Sequence, residues 1–105
     1  MNIFLIGYRC SGKTSVGKAL GKNLKQPFLD ADAELVRINN VTIADMVAER
    51  GWEFFREKEQ AVIKSLCTLN NHVIATGGGA VLNPDNVKNM KKNGEVIWLK
   101  ASNET

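Results

Sequence analysis

The sequence has few of the residues that build disulfide frameworks or metal clusters. Its 105 residues contain two cysteines, Cys10 and Cys67, and one histidine, His72. Because neither cysteine belongs to a Cys-x-x-Cys or Cys/His pattern, we predict no zinc site and no disulfide. The chain is long enough to bury a modest hydrophobic core, on which its stability must then depend.

Long apolar runs and blocks of one charge are also missing. No segment approaches the length of a membrane span, and Met1 is followed by neither a basic region nor a small-residue cleavage site. We therefore predict a cytoplasmic protein. Fourteen Lys and Arg against eleven Asp and Glu give a net charge of +3, which suits phosphorylated or carboxylated ligands. The basic residues are scattered, so we expect no nucleic-acid or membrane partner.

Short apolar runs alternate with helical patterns along the chain. The runs predict strands over residues 3–6, 27–29, 72–75 and 95–99, with Trp98 in the core. The helical patterns cover residues 13 to about 25, 31 to about 38, 43–49, 52 to about 69 and 84 to about 94. Strands joined by helices indicate βαβ units and a parallel sheet, in a single α/β domain over residues 1–105.

The segment Gly7-Tyr8-Arg9-Cys10-Ser11-Gly12-Lys13-Thr14 matches the P-loop pattern G-x-x-x-x-G-K-T, between a predicted strand and a predicted helix. In such a loop, backbone N–H groups hold phosphates, the lysine reaches the β- and γ-phosphates, and the final hydroxyl binds Mg²⁺. The alternative is a chance glycine-rich turn, which the strand and helix on either side disfavour. The residues predicted to bind the ATP phosphates are Gly7, Arg9, Cys10, Ser11, Gly12, Lys13, Thr14 and Ser15.

Two carboxylates, Asp30 and Asp32, follow the second predicted strand. The carboxyl ends of parallel strands share the edge of the sheet at which ligands bind. There the pair could serve a Mg²⁺ ion and a substrate hydroxyl. The alternative is a helix N-cap followed by an acidic residue in the first turn.

A charged pair interrupts the apolar stripe of the long helix. Arg56 and Glu59 stand three residues apart on a face otherwise formed by Trp52, Phe55 and Val62. Buried charges are costly unless they are paired and hydrogen-bonded. The pair is therefore either a surface pair at the edge of the stripe or the wall of a pocket, in which Glu59 holds Arg56 toward a substrate carboxylate.

Three consecutive glycines, Gly77, Gly78 and Gly79, follow the third predicted strand. Glycine runs cost backbone entropy, so they indicate either close approach of a ligand to the main chain or a flexible turn.

In this order, the motifs resemble the shikimate kinase family. The P-loop is followed by Phe28-Leu29-Asp30-Ala31-Asp32, Phe54-Phe55-Arg56-x-x-Glu59 and Thr76-Gly77-Gly78-Gly79-Ala80-Val81. The segment Val96-Ile97-Trp98-Leu99-Lys100-Ala101-Ser102 resembles the next strand of that family. The combination is far more specific than a P-loop alone, and it covers nearly the whole chain. It implies a P-loop NTPase-type three-layer fold with about four strands present and the last strand missing.

The resemblance implies transfer of the γ-phosphoryl group of ATP to the 3-hydroxyl of shikimate, in aromatic amino-acid biosynthesis. By resemblance, Lys13 and Thr14 would bind the ATP phosphates and Mg²⁺, with Asp30 joining the Mg²⁺ shell through water. Asp32 would hold shikimate hydroxyls near the reacting one. Lys13 and Asp32 are therefore the expected catalytic residues.

The acceptor site is implied in the same way. Arg56 would pair with the shikimate carboxylate and be supported by Glu59, while Phe55 would form an apolar wall. The glycine triplet would line the site with backbone N–H groups, from Gly77, Gly78 and Gly79.

Two features depart from the family pattern. A glycine usually stands at the position of Cys10. Family members also continue with an arginine-bearing lid, an adenine clamp and a last strand and helix, so we expect a domain truncated before the lid. Such a chain should turn over poorly and could self-associate through a bare sheet edge, whereas the family enzyme is expected to be a monomer. The alternatives are another small-molecule P-loop kinase, of gluconate or nucleoside-monophosphate type, and an inactive nucleotide-binding fragment.

Overall fold

The computed structural model describes residues 1–7, 13–77 and 79–99, with backbone only for residues 13, 14 and 99. The strands are β1 (Asn2–Gly7), β2 (Phe28–Asp30), β3 (Val73–Ala75) and β4 (Gly94–Leu99). The helices are α1 (Lys13–Leu24), α2 (Ala31–Asn39), α3 (Ile43–Leu66) and α4 (Pro84–Lys92), with a 3₁₀ turn at Ala80–Leu82.

The four strands form one parallel sheet in the order β2-β3-β1-β4. In register, Leu5 of β1 lies beside Ala75 of β3, which in turn lies beside Asp30 of β2. The carboxyl ends of three strands are therefore adjacent, as the predicted βαβ arrangement requires. The predicted α/β class and parallel sheet are confirmed.

The core lies between the sheet and the helices packed on it. Phe4, Leu5, Val73 and Ile74 are fully buried on the two central strands. Buried side chains of α2, α3 and α4 meet this surface, namely Leu35, Phe55, Ile63 and Met90. Strands buried this completely explain the unbroken apolar runs in the sequence.

Local chemistry sets the ends of several helices as predicted. The Thr42 hydroxyl accepts a hydrogen bond from the Asp45 amide at 3.1 Å, which caps α3. Asn83 caps α4 in the same way, directly before Pro84. Gly51 interrupts α3 with φ of 88° and ψ of 168°, a conformation that is open mainly to glycine, so α3 consists of two helices joined at a kink.

Helix α3 ends at Leu66, three residues before the predicted end at Leu69. The Leu69 carbonyl accepts hydrogen bonds from the side-chain amides of Asn2 at 2.9 Å and Asn93 at 2.8 Å. Tertiary contacts from β1 and from the end of α4 thus satisfy the backbone where a longer helix would continue.

Trp98 was expected in the core, and that expectation is wrong. Strand β4 is at the edge of the sheet, and Trp98 is 51% exposed. It lines an open, mainly apolar groove of about 530 Å³ with Ile6, Val81, Val87, Lys91 and Val96. The hydrophobicity of a strand does not by itself distinguish an edge strand from a central one.

Candidate functional site

Strand β1 ends at Gly7, and α1 begins at Lys13. Gly7 has φ of 142°, a conformation that favours glycine. The predicted phosphate ligands Arg9, Cys10, Ser11 and Gly12 lie outside the described residues, as do the side chains of Lys13 and Thr14. The N-terminus of α1, with Ser15 in its first turn, stands at the carboxyl edge of the sheet, where a helix dipole favours anions.

Asp30 is the N-cap of α2. Its Oδ1 atom accepts hydrogen bonds from the amides of Asp32 at 2.9 Å and Ala33 at 3.2 Å. The capping role is thus present in the structure. A role for Asp30 near a metal would use the other carboxylate oxygen, Oδ2.

The Asp32 side chain lies against Gly77. A Cβ atom at position 77 would be 2.9 Å from Asp32 Oδ2 and 3.0 Å from Oδ1. The ends of β2 and β3 therefore bring this carboxylate to the glycine triplet, as the parallel sheet predicts.

Arg56 and Glu59 form an ion pair with unequal burial. Arg56 Nη1 donates to Glu59 Oε1 at 2.9 Å, and the side chains are 37% and 4% exposed. Burial raises the pKa of Glu59, the Arg56 guanidinium opposes that rise, and the Asp32 charge adds to it. The predicted charged pair on the buried stripe is therefore present, with Glu59 inside and the guanidinium reaching the surface.

Gly79 makes room for Arg56. A Cβ atom at position 79 would lie 2.7 Å from Arg56 Nη1 and 2.8 Å from Cζ. The absence of side chains at Gly77 and Gly79 thus lets Asp32 and Arg56 pack directly against the main chain. The sequence alone did not indicate this reason for glycine at the two positions. Within the described residues the N–H groups of Gly77 and Gly79 donate no hydrogen bond. Gly78 lies outside the described residues.

Two aromatic residues accompany the guanidinium. Phe55 is 4% exposed and belongs to the core, with its ring centroid 5.1 Å from Arg56 Cζ. Trp52 is 60% exposed, meets Phe55 edge-on, and lies 5.6 Å from Arg56 Cζ. Trp52 is thus the exposed apolar surface beside Arg56. Its position four residues before Arg56 on a helix is the signal that would have revealed it.

The grouped side chains are suited to a small polyhydroxylated acid. Glu59 engages Nη1 of Arg56, and among residues 1–7, 13–77 and 79–99 no other hydrogen bond occupies the guanidinium, which can thus bind an anion such as a carboxylate. Asp32 supplies carboxylate oxygens for hydroxyl groups, and the glycine amides supply backbone donors.

The described residues contain no cluster of three or more His, Cys, Asp or Glu that could hold a metal ion. A protein-built cage is not what Mg²⁺ requires beside a nucleotide, because one or two carboxylates, waters and phosphates complete its shell. Asp30 fits that requirement. Among the helices described, none is both long enough and apolar enough to cross a membrane.

The chain is similar to known proteins over nearly its whole length. The family model for shikimate kinase matches residues 9–105. The shikimate kinase of Syntrophus aciditrophicus is 52% identical over 98% of this chain and 53% of its own length. That of Symbiobacterium thermophilum is 45% identical over 100% of this chain and 60% of its own length. The chain thus spans little more than half the length of these relatives.

Solved structures agree. Shikimate kinase from Aquifex aeolicus superposes with a TM-score of 0.93 at 36% identity, covering 99% of this chain and 62% of that one. Shikimate kinase from Acinetobacter baumannii, solved in complex with shikimate, superposes with a TM-score of 0.93 at 37% identity. The match covers 96% of this chain and 56% of that one. A gluconokinase from Sinorhizobium meliloti superposes with a TM-score of 0.59 at 22% identity, a likeness that extends to the fold only. With a family model matching nearly its whole length, this chain belongs to the shikimate kinase family.

Proposed function

We propose that this protein transfers the γ-phosphoryl group of ATP to the 3-hydroxyl of shikimate, as a cytoplasmic step of aromatic amino-acid biosynthesis. The observation that carries the proposal is that Asp32 lies against Gly77 while Arg56, paired with Glu59, lies against Gly79. A related structure was solved with shikimate, which supports the choice of acceptor. Because the chain spans 53–60% of its curated relatives, catalysis by these 105 residues is itself part of the proposal.

In the acceptor half, Arg56 binds the shikimate carboxylate through the part of its fork that Glu59 does not use. Glu59 is almost fully buried, so it holds the guanidinium in one orientation and reduces the entropy lost on binding. The amides of Gly77, Gly78 and Gly79 are the proposed hydrogen-bond donors to the bound acid. Phe55 supports this wall from the core, and exposed Trp52 extends it.

In the donor half, the phosphates lie at the N-terminus of α1. The proposed phosphate ligands are Gly7, Arg9, Cys10, Ser11, Gly12, Lys13, Thr14 and Ser15. Thr14 and, through water, Asp30 would hold Mg²⁺, which neutralises charge on the β- and γ-phosphates. Asp30 can do so while Oδ1 continues to cap α2.

Asp32 is placed between the two halves in this proposal, because it lies in the first turn of α2 and against Gly77. It accepts the hydrogen bond of the 3-hydroxyl and orients that oxygen toward the γ-phosphorus. Lys13 stabilises the charge that develops on the transferring group. Asp32 and Lys13 are accordingly the proposed catalytic residues.

Arg56→Ala tests the acceptor assignment, with Arg37→Ala as a matched control. Arg37 pairs with Glu34 at the same i, i+3 spacing and at 2.8 Å, but its side chain is 69% exposed. We expect Arg56→Ala to weaken shikimate binding at least tenfold in calorimetric titration and Arg37→Ala to leave it unchanged. Unchanged binding in Arg56→Ala, with gluconate or a nucleoside monophosphate phosphorylated in a coupled ADP-release assay, would favour another small-molecule kinase.

A non-catalytic nucleotide-binding or assembly role is the second candidate. The observation in its favour is edge strand β4, on which Ile97 and Trp98 are 36% and 51% exposed. We propose a monomer for the kinase and self-association through β4 for the alternative. Light scattering that gives a dimer, together with titrations that show ATP binding and no shikimate binding, would support the second candidate.

A further inference from the structure

The carboxyl side of the glycine triplet is held by a buried asparagine of α4. Asn86 is 1% exposed, and its Nδ2 atom donates to the Ala80 carbonyl at 2.9 Å. Ala80 follows Gly79 directly, and its own amide donates to the Gly77 carbonyl at 3.1 Å. The Asn86 side chain therefore holds Ala80, the residue whose amide closes the turn onto Gly77.

The other side of the turn is held by Thr76, which is 2% exposed. The Thr76 amide and hydroxyl both donate to the Leu5 carbonyl, at 3.0 and 3.3 Å. Leu5 belongs to β1, the strand that leads to the P-loop. The turn is thus tied to the donor side of the site at one end and to α4 at the other.

Asn86 is an unfavourable choice for a purely structural position. Its Oδ1 atom is buried and has no hydrogen-bond partner within the described residues. A buried polar atom without a partner costs about 1–3 kcal/mol. A leucine would fill similar space without that cost, so the asparagine needs a reason beyond packing.

We propose that Asn86 is a positioning residue for the acceptor site. By holding Ala80, it sets the direction of the Gly77 and Gly79 amides, which donate no hydrogen bond within the described residues, and keeps Gly79 against the Arg56 guanidinium. Thr76 performs the corresponding role at the other end. This inference rests on the proposed function, because it assigns these amides to shikimate.

The test compares Asn86→Leu with Asn89→Leu, a control three residues further along α4 at a half-buried position. Calorimetry on the 105-residue chain gives dissociation constants for shikimate and for ATP, and urea unfolding gives stability. We expect Asn86→Leu to weaken shikimate binding about fivefold to tenfold, because a glycine amide that is no longer held in position makes a poorer hydrogen bond to shikimate. ATP binding should stay close to that of the parent chain, and the unfolding midpoint should not fall, because leucine removes the buried Oδ1 atom. Asn89→Leu should change none of the three.

Equal loss of shikimate and ATP binding, or unchanged shikimate binding in Asn86→Leu, would overturn the inference. Should Asn86→Leu fail to fold, Asn86→Thr takes its place in the comparison. The threonine hydroxyl is a donor on a shorter side chain, so this variant should keep only part of the parent's affinity for shikimate. A parent chain that binds ATP and no shikimate would instead overturn the proposed function, so the two failures are distinguishable.

Discussion

Arg56 and Glu59 share a 2.9 Å ion pair in which the carboxylate is almost fully buried and the guanidinium is about one-third exposed. The pair lies against Gly79 and near Asp32, so its buried member senses two charges of opposite sign. This asymmetry separates it from the exposed Arg37–Glu34 pair at the same helical spacing.

Glu59 should make stability depend on pH. Burial raises its pKa above the usual 4.5, so the folded chain takes up this proton more readily than the unfolded chain. The contribution of Glu59 to the free energy of unfolding is complete below pH 4.5 and is lost as the pH rises through the pKa that Glu59 has in the folded chain. We expect the free energy of unfolding of the parent, minus that of Glu59→Gln, to fall over that window.

Urea denaturation between pH 4 and 8 measures this difference, and Glu34→Gln is the control. Glu34 belongs to the pair with the exposed arginine, so its substitution should leave the parent's profile unchanged. Parallel pH profiles for the parent and Glu59→Gln would contradict the buried-carboxylate interpretation.

Gly79→Ala should damage binding more than folding. Gly79 has φ of −93° and ψ of −1°, which alanine can adopt, but the new Cβ would meet the Arg56 guanidinium. That group is the end of a flexible side chain and can move, so we expect a stability loss of about 1 kcal/mol or less. Shikimate affinity should fall about tenfold, because Arg56 is displaced from its position.

A double-mutant cycle tests the cause. If displacement of Arg56 is the reason, Gly79→Ala should cost no further affinity in an Arg56→Ala background. Additive losses would show instead that Gly79 acts through its own backbone.

Trp52 should report occupancy of the acceptor site. It is 60% exposed and lies 5.6 Å from Arg56 Cζ, whereas Trp98 is on edge strand β4. Shikimate should change the tryptophan emission of the parent and of Trp98→Phe. The change should vanish in Trp52→Phe, and a signal that follows Trp98 instead would place the ligand elsewhere.

Gly51→Ala should destabilise the chain through the backbone alone. Gly51 has φ of 88°, and an added Cβ would have no neighbour within 4 Å. Strained backbone for a non-glycine residue costs about 1–3 kcal/mol. Urea unfolding should show a loss in this range, and an unchanged midpoint would indicate that the kink moves or straightens at little cost.

The predicted elements matched the structure where local chemistry decides them. The caps at Thr42 and Asn83 and the break at Gly51 depend on side chains and torsions within a few residues. The end of α3 and the exposure of Trp98 were missed because they depend on Asn2, on Asn93 and on the position of β4 at the edge. Those determinants are distant in sequence.

By itself, the sequence determined the βα alternation, the parallel sheet and the types of residue gathered at its carboxyl edge. Period and capping are local properties, and parallel connectivity then constrains which strand ends can meet. Only the tertiary structure decided that Gly77 and Gly79 make room for Asp32 and Arg56, and that Asn86 holds their turn. Such contacts depend on distances between side chains far apart along the chain, which close packing fixes and residue spacing does not.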